Sequence, residues 1–284
     1  MENTKNSPRA FVIGWPIEHS RSPLIHTFWL REMNISGSYQ AIPIELDKVR
    51  EFLTSANLIS KGYIGGNVTI PHKEAAFKVC IQCSETARRL RAVNTLWLEN
   101  GELCGDNTDG QGFTANMDDQ AQGWDKSGKP AVIYGAGGAA RAVLLALQGR
   151  GFDELRIINR TPERARQMIE ELDIDAEVFT TAQFPDALRN AGLFVNTTSL
   201  GMIGQPPLEI DIALFDQDTV VADIVYAPLL TNLLGAARDR GLTVVDGLGM
   251  LLHQAAPGFA RWFGKMPEVT PALREVILSD LGEL

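Results

Sequence analysis

Short apolar runs alternate with amphipathic segments along the whole chain, and this alternation predicts an α/β protein with mainly parallel sheets. In the first half, Ser22-Pro23, Asp47 and Pro71 are the expected starts of helices, because such residues cap or open helices. Asn100-Gly101 is a hairpin dipeptide between two short apolar runs. Strands are expected in this half at 9–14, 38–44, 63–69, 93–98 and 102–105.

A polar stretch at 116–130 contains two glycines and a proline, and we expect it to cross into a second domain. The β–α alternation then resumes, with strands expected at 131–134, 155–159, 193–196, 220–224 and 243–245, and helices at about 138, 162–172 and 230–240. The tail differs, because 249–263 and 271–281 are both helical in pattern and no strand separates them. We therefore expect the chain to leave the second sheet and to pack elsewhere.

The strand at 131–134 leads directly into Gly135-Ala136-Gly137-Gly138-Ala139-Ala140. This run fits G-x-G-x-x-A, in which the first glycine allows a tight turn, the second admits a pyrophosphate and the third small residue lets helix and strand pack closely. Since it stands between a predicted strand and a predicted helix, it predicts dinucleotide binding. The alternative is a tight turn that serves packing alone.

The end of the next predicted strand bears on the cofactor. NAD-binding sites usually place an Asp or Glu there, whereas this chain has Asn159-Arg160-Thr161, with Arg164 one turn later. A guanidinium group and a hydroxyl suit a 2′-phosphate, so the sequence predicts NADP. The alternative is that Arg160 is a solvated surface arginine.

Polar side chains also follow the predicted strands of the first half. Ser20, Ser22, Thr69 and Asn94 could bind the hydroxyls of a small hydroxy-acid, and Lys73 with Asp109 could exchange the proton of the reacting hydroxyl. Each has a structural alternative. Ser22 or Asp109 could only cap a helix, and Lys73 could be a solvated lysine in a first helical turn.

Composition narrows the classes of partner. Lys and Arg number 26 against 35 Asp and Glu, a net charge of −9, which disfavours nucleic acid and anionic membranes but is compatible with a small anionic substrate. Met1–Lys5 lacks an apolar segment and no apolar run approaches the ~20 residues of a membrane span, so we expect a cytoplasmic protein. The Cys80/Cys83 pair is expected to pack as ordinary thiols, and the scattered histidines predict no metal site.

Together these motifs resemble the shikimate dehydrogenase family. The resemblance extends from about residue 11 to 256 in the family's order and rests on 14–23, 67–73, 92–96, 105–110, 135–140, 159–161, 196–199, 223–228 and 246–250. It implies reversible, NADPH-dependent reduction of 3-dehydroshikimate to shikimate in aromatic amino acid biosynthesis. Alternatives are a quinate/shikimate dehydrogenase with relaxed specificity, or a catalytically silent nucleotide-binding sensor of the same fold.

The resemblance also implies roles for individual residues. Lys73 and Asp109 would be the catalytic acid/base pair. The substrate would be held by Ser20, Ser22, Thr69, Asn94, Tyr226 and Gln254. NADP would be bound by Gly135, Ala136, Gly137, Gly138, Ala139, Asn159, Arg160, Thr161, Arg164, Thr198, Ile224 and Gly247.

The implied architecture has two domains and returning helices. Residues 1–115 would form an open α/β substrate domain, 116–247 a Rossmann-like NADP-binding domain, and 248–284 helices that pack back on the first domain. The protein would be a monomer or a homodimer. His72 stands where the family often has an aromatic residue; it could perturb Lys73, but packing is favoured. Gly65-Gly66 replaces a bulkier pair, so the strand is expected to bend there.

Overall fold

Two six-stranded sheets organise the structure, a computed structural model that describes residues 7–283. Met1–Lys5, for which no secretory signal is expected, lies outside the described residues. The chain divides into two compact units. The first contains the chain up to Thr108 together with Gln254–Asp280, and the second contains Asp109–His253 with the residues after Asp280. The first boundary, after Thr108, lies seven residues before the predicted domain boundary after residue 115. The second, after His253, lies six residues beyond the predicted boundary after residue 247.

The sheet of the first unit has the order β2-β1-β3-β5-β6-β4. The β1–β2, β1–β3 and β4–β6 pairs are parallel, while β5 is antiparallel to β3 and β6. The elements are β1 (Arg9–Gly14), α1 (Ser22–Glu32), β2 (Ser38–Pro43), α2 (Val49–Phe52), α3 (Ser55–Ser60), β3 (Tyr63–Val68), α4 (Lys73–Val79), β4 (Gln82–Cys83), α5 (Glu85–Leu90), β5 (Thr95–Glu99) and β6 (Glu102–Asp106).

Two local predictions in this unit are wrong. Asp47 does not start an α-helix, because it lies inside a 3-10 turn at Leu46–Lys48 that precedes α2, and α3 has its own cap. That cap is Thr54, whose side chain accepts from the Asn57 N–H. Ser22 is not an N-cap either, since Arg21 occupies that position.

The second unit contains a fully parallel sheet of order β12-β11-β10-β7-β8-β9. This is the strand order of open dinucleotide-binding sheets, in which ligands bind at the carboxyl ends of the strands. The elements are α6 (Asp109–Gln120), β7 (Ala131–Tyr134), α7 (Gly138–Gly149), β8 (Leu155–Ile158), α8 (Pro162–Leu172), β9 (Glu177–Phe179), α9 (Phe184–Ala187), β10 (Leu193–Asn196), β11 (Val220–Asp223), α10 (Asn232–Asp239) and β12 (Thr243–Val245).

The predicted crossing segment at 116–130 is wrong in its first part, because α6 continues to Gln120. Phe113 and Met117 lie one helical turn apart and are both buried, which explains why the helix persists. Asn116 is also buried, and its amide donates to the Asp246 carbonyl oxygen over 2.7 Å. The polar side chain of Asn116 is therefore explained by a buried hydrogen bond and does not mark a loop.

The terminal helices are α11 (Leu248–Phe263) and α12 (Pro271–Leu281), and their residues from Gln254 to Asp280 belong to the first unit, which confirms for that part of the tail that it packs against the first unit. The indole of Trp262 donates to the Leu96 carbonyl oxygen over 2.8 Å. It fills the space above Gly65, where a Cβ would lie 2.4 Å from the indole nitrogen. The register between β1 and β3 also shifts next to Gly65, while the bend expected at Gly65-Gly66 stays a prediction.

Among the described residues, no helix combines the length and apolarity needed to span a membrane. The three cysteines are free thiols. Cys80 and Cys83 contact the apolar cluster of the first unit, and burial raises the pKa of both thiols.

Candidate active site

The glycine-rich turn joins β7 to α7 at the carboxyl edge of the second sheet. Gly135 has a φ of +119°, and a Cβ there would lie 2.7 Å from a threonine hydroxyl oxygen, so the turn requires glycine. Gly137 and Gly138 open α7 without a side-chain cap, and a Cβ on either would meet no described atom within 4 Å. Ala136 and Ala139 are half-buried in the same turn. The helix end is therefore open to a ligand, and its N–H groups suit a pyrophosphate.

The next strand ends in the residues that were predicted to recognise a 2′-phosphate. The Asn159 amide donates to the Thr161 carbonyl oxygen over 2.8 Å and shapes the turn into α8. Arg160, Thr161 and Arg164 are exposed around this turn. Burial raises the pKa of the Tyr134 phenol, and the Arg160 guanidinium lies close enough to offset part of this rise. The turn thus presents cationic and hydroxyl groups and no strand-end carboxylate, which fits NADP.

Three more predicted cofactor contacts follow β10, β11 and β12. Ile224 is fixed by a 3.1 Å hydrogen bond from its N–H to the Asn196 carbonyl oxygen. Gly247 packs so tightly that a Cβ would lie 2.2 Å from the Ile224 carbonyl oxygen. Thr198 is half-buried, and its hydroxyl donates to Asn196 Oδ1 over 2.7 Å. The sheet therefore brings the strand-end residues predicted for the cofactor to a single edge.

In the first unit, Asn94 is the centre of a buried polar cluster. Its amide nitrogen donates to Thr108 Oγ1 over 3.1 Å and to Gln254 Oε1 over 3.2 Å, and its Oδ1 accepts from the Thr108 N–H over 2.9 Å. The Asn67 amide donates to the Asn94 carbonyl oxygen over 3.0 Å and to Thr95 Oγ1 over 3.3 Å. The structure thus brings together Asn94 and Gln254, which are 160 positions apart in the chain.

The same cluster extends toward the serines after β1. The Tyr39 hydroxyl donates to Asn67 Oδ1 over 2.7 Å, and the Ser22 side chain lies close enough to offset part of the rise in its pKa. Burial raises the pKa of Tyr39 well above its ordinary value, so the phenol keeps its proton. Ser20 Oγ lies 3.4 Å from the Ser22 nitrogen, and Thr69 is half-buried after β3. These hydroxyls and amides suit a ring that carries several hydroxyl groups and a carboxylate.

Lys73 is the first residue of α4, and its carbonyl oxygen accepts from the Val93 N–H over 2.9 Å. His72 precedes it and is fully buried. The His72 Nε2 donates to the Ile44 carbonyl oxygen over 2.6 Å, and burial lowers the pKa of the imidazole. His72 therefore packs against the first sheet in neutral form, as favoured from the sequence.

Asp109 and Tyr226 belong to the second unit, whereas Lys73 belongs to the first. Asp109 begins α6 and is 9% exposed, and Tyr226 follows β11 and is half-buried. Their roles beside Lys73 stay predictions.

The sequence did not single out Tyr39, Asn67 or Asp223. Asn67 begins the motif that contains Thr69 and Lys73, which was a usable signal. Asp223 begins the 223–228 motif in the same way, whereas Tyr39 belongs to none of the motifs; the structure shows that Tyr39 is 7% and Asp223 2% exposed. Within residues 7–283, no three His, Cys, Asp or Glu side chains lie close enough to hold a metal ion.

Family models match three segments of the chain. Residues 12–96 match the shikimate dehydrogenase substrate binding domain. Residues 119–214 match shikimate / quinate 5-dehydrogenase, and residues 247–277 match the shikimate 5′-dehydrogenase C-terminal domain. These segments contain the Asn67–Lys73 motif, the glycine-rich turn and Gln254, respectively.

Relatives of known name match over nearly the full length. Shikimate dehydrogenase (NADP(+)) of Methylocella silvestris is 52% identical over 275 residues, which is 97% of each chain. The protein of the same name from Sinorhizobium medicae is 53% identical over 274 residues, 96% of each chain. The solved structure of shikimate 5-dehydrogenase from Thermus thermophilus in complex with NADP(H) and shikimate superimposes with a TM-score of 0.84 at 34% identity, covering 96% of this chain and 99% of that one. The chain therefore belongs to the shikimate dehydrogenase family.

Proposed function

We propose that this protein catalyses the reversible reduction of 3-dehydroshikimate to shikimate with NADPH. The observation that carries the proposal is the presence, in one member of this family, of both required sites. One is the buried polar cluster around Asn94, which includes Asn67 and therefore the motif that also contains Lys73. The other is the open glycine-rich turn, accompanied by Arg160 in place of a strand-end carboxylate.

The substrate side of the site would act through binding and proton exchange. Ser20 and Ser22 would hold the carboxylate with Tyr226 nearby, while Thr69, Asn94 and Gln254 would bind ring hydroxyls. Lys73 would donate a proton to the carbonyl oxygen as the carbon is reduced, and would take it back in the reverse direction. Asp109 would be the carboxylate partner of this lysine.

When bound, NADPH supplies the hydride. The N–H groups at the start of α7 would hold the pyrophosphate, aided by the small residues of the turn. Asn159, Arg160, Thr161 and Arg164 would hold the 2′-phosphate. Further contacts would come from Thr198, Ile224 and Gly247. The proposed domains are residues 1–115 for the substrate, 116–247 for NADP, and 248–284 as the returning helices.

We further propose a cytoplasmic enzyme, monomeric or homodimeric, without nucleic-acid or membrane partners. The net charge of −9 disfavours polyanionic partners, and the free thiols suit a reducing compartment.

The test is nicotinamide absorbance in four reactions, with shikimate or quinate each paired with NADP or NAD. Turnover restricted to shikimate with NADP supports the proposal. Comparable rates with quinate would instead indicate relaxed specificity. Binding of NADP without turnover in any reaction would contradict the enzymatic proposal and favour a sensor of the same fold.

A further inference from the structure

Asp223, the last residue of β11, is a buried carboxylate that the proposed chemistry does not use. Its Oδ1 accepts from the Asn196 amide over 2.9 Å and from the Val225 N–H over 3.0 Å. Its Oδ2 accepts from the Thr231 hydroxyl over 2.9 Å. All three donors are neutral, so the carboxylate is held by dipoles alone.

These bonds join three segments at the cofactor edge of the sheet. Asn196 and Asp223 are Cα partners at the ends of β10 and β11. The Asn196 Oδ1 in turn accepts from both the N–H and the hydroxyl of Thr198, over 3.0 and 2.7 Å. Thr231 is the N-cap of α10. One carboxylate therefore fixes the turn that carries Thr198, the exit of β11 that carries Ile224, and the start of α10.

Stability alone does not account for this residue. Burial raises the pKa of Asp223 to about 6, which means that ionisation costs more free energy in the folded protein than in the unfolded chain, although the carboxylate is still mostly ionised at pH 7. A buried charge without a cationic partner commonly reduces the free energy of unfolding relative to a neutral group of the same shape. What the carboxylate provides is a pair of acceptor oxygens at fixed positions.

We propose that Asp223 is a positioning residue of the cofactor site, holding the segments that carry Thr198 and Ile224 in the arrangement that receives NADP. The inference rests on the proposed function. It predicts that changes at Asp223 act on NADP binding and leave the substrate cluster of the first unit unaffected.

The experiment measures the NADPH Kd by fluorescence titration, together with the melting temperature and the KM for shikimate at saturating NADP. Asp223→Ala removes the acceptor for three donors and should raise the NADPH Kd at least about tenfold. Asp223→Asn should stay within about threefold of wild type, because an amide oxygen can accept from Asn196 and Val225 while its NH₂ donates to Thr231. The KM for shikimate should not change in either variant.

Thr219→Val is the matched control. Thr219 precedes β11 at the opposite end, is 1% exposed, and donates to the Ala191 carbonyl oxygen over 2.8 Å. The control therefore loses one buried hydrogen bond without touching the cofactor edge, and should keep the wild-type Kd. If Asp223→Ala does not fold, Asp223→Glu replaces it, since the longer side chain keeps the charge but displaces both oxygens.

An Asp223→Ala or Asp223→Glu protein that folds and binds NADPH as tightly as the Thr219→Val control overturns the inference. An equal loss of shikimate and NADPH affinity also overturns it, because that pattern indicates general damage. Failure of the wild-type protein to bind NADPH at all is a different result, and would reject the proposed cofactor itself.

Discussion

At the scale of single residues, Lys73 is the group on which the proposed chemistry depends. It occupies the first turn of α4, directly after the buried His72. Lys73→Ala should lower kcat by about 10²–10⁴-fold with a much smaller change in KM, because a proton-transfer group acts mainly in the transition state. Steady-state assays with shikimate and NADP measure both constants. Lys78→Ala, on the exposed side of the same helix, is the control, and normal turnover of the Lys73 variant would refute the assignment.

The Tyr39 hydroxyl offers a second test at this scale. Tyr39→Phe keeps the ring stacked on His26 at 4.0 Å but removes the 2.7 Å hydrogen bond to Asn67. If Ser22 and Asn94 bind the substrate, the KM for shikimate should rise by about five- to tenfold, the worth of one buried hydrogen bond. The NADPH Kd should not change. Tyr63→Phe also removes a buried phenol, one that pairs with Gln40, and an equal KM for the two variants would argue against a role for Tyr39.

At the scale of elements, we expect the turn between β8 and α8 to determine the choice of cofactor. Arg160→Ala should raise the Kd for NADPH by about 10- to 100-fold and leave the Kd for NADH nearly unchanged, because a hydrogen-bonded charge pair with the 2′-phosphate is lost. Fluorescence titration with each cofactor makes the comparison. Arg166→Ala, on α8 and paired with Glu163, is a matched control. Equal weakening of both cofactors would mean that Arg160 does not recognise the 2′-phosphate.

The helices and strands differ in how far the sequence alone predicts them. The glycine-rich turn and five of the six strands of the second sheet follow from local patterns, because a buried parallel strand and a helix cap carry their own signatures. The position at which α6 ends could not be predicted in this way. Asn116 has a polar side chain, which suggests a loop, but it is buried through its hydrogen bond to the Asp246 carbonyl oxygen. The short strands β4 and β9 have two and three residues and depend on neighbouring strands for their existence. Asp223 begins the 223–228 motif, but its burial was not predicted, because burial of a carboxylate is a property of the fold.

At the scale of the whole molecule, two buried titratable groups give the two units opposite responses to acid. In the first unit, burial lowers the pKa of His26 to about 3. The unfolded chain takes up this proton near pH 6.5 and the folded one does not, so stability is lost as the pH falls below about 6.5. In the second unit, burial raises the pKa of Asp223 to about 6. The folded unit takes up that proton first, so this group adds stability as the pH falls from about 6 to 3.8.

Lowering the pH from 7 to 5 should therefore reduce the free energy of unfolding of the first unit by about 2 kcal/mol through His26, at 1.36 kcal/mol per pH unit. It should raise the free energy of unfolding of the second unit by about 1.4 kcal/mol through Asp223. Hydrogen exchange of core amides, corrected for the intrinsic pH dependence, measures the opening free energy of each unit separately. Other carboxylates titrate over the same range, so differences between variants isolate the two groups.

His26→Phe should remove the loss of stability in acid from the first unit only, and Asp223→Asn should remove the gain of stability from the second unit only. Identical pH profiles for wild type and both variants would show that neither group sets the acid response. A change in both units from either single variant would show that the units do not open independently.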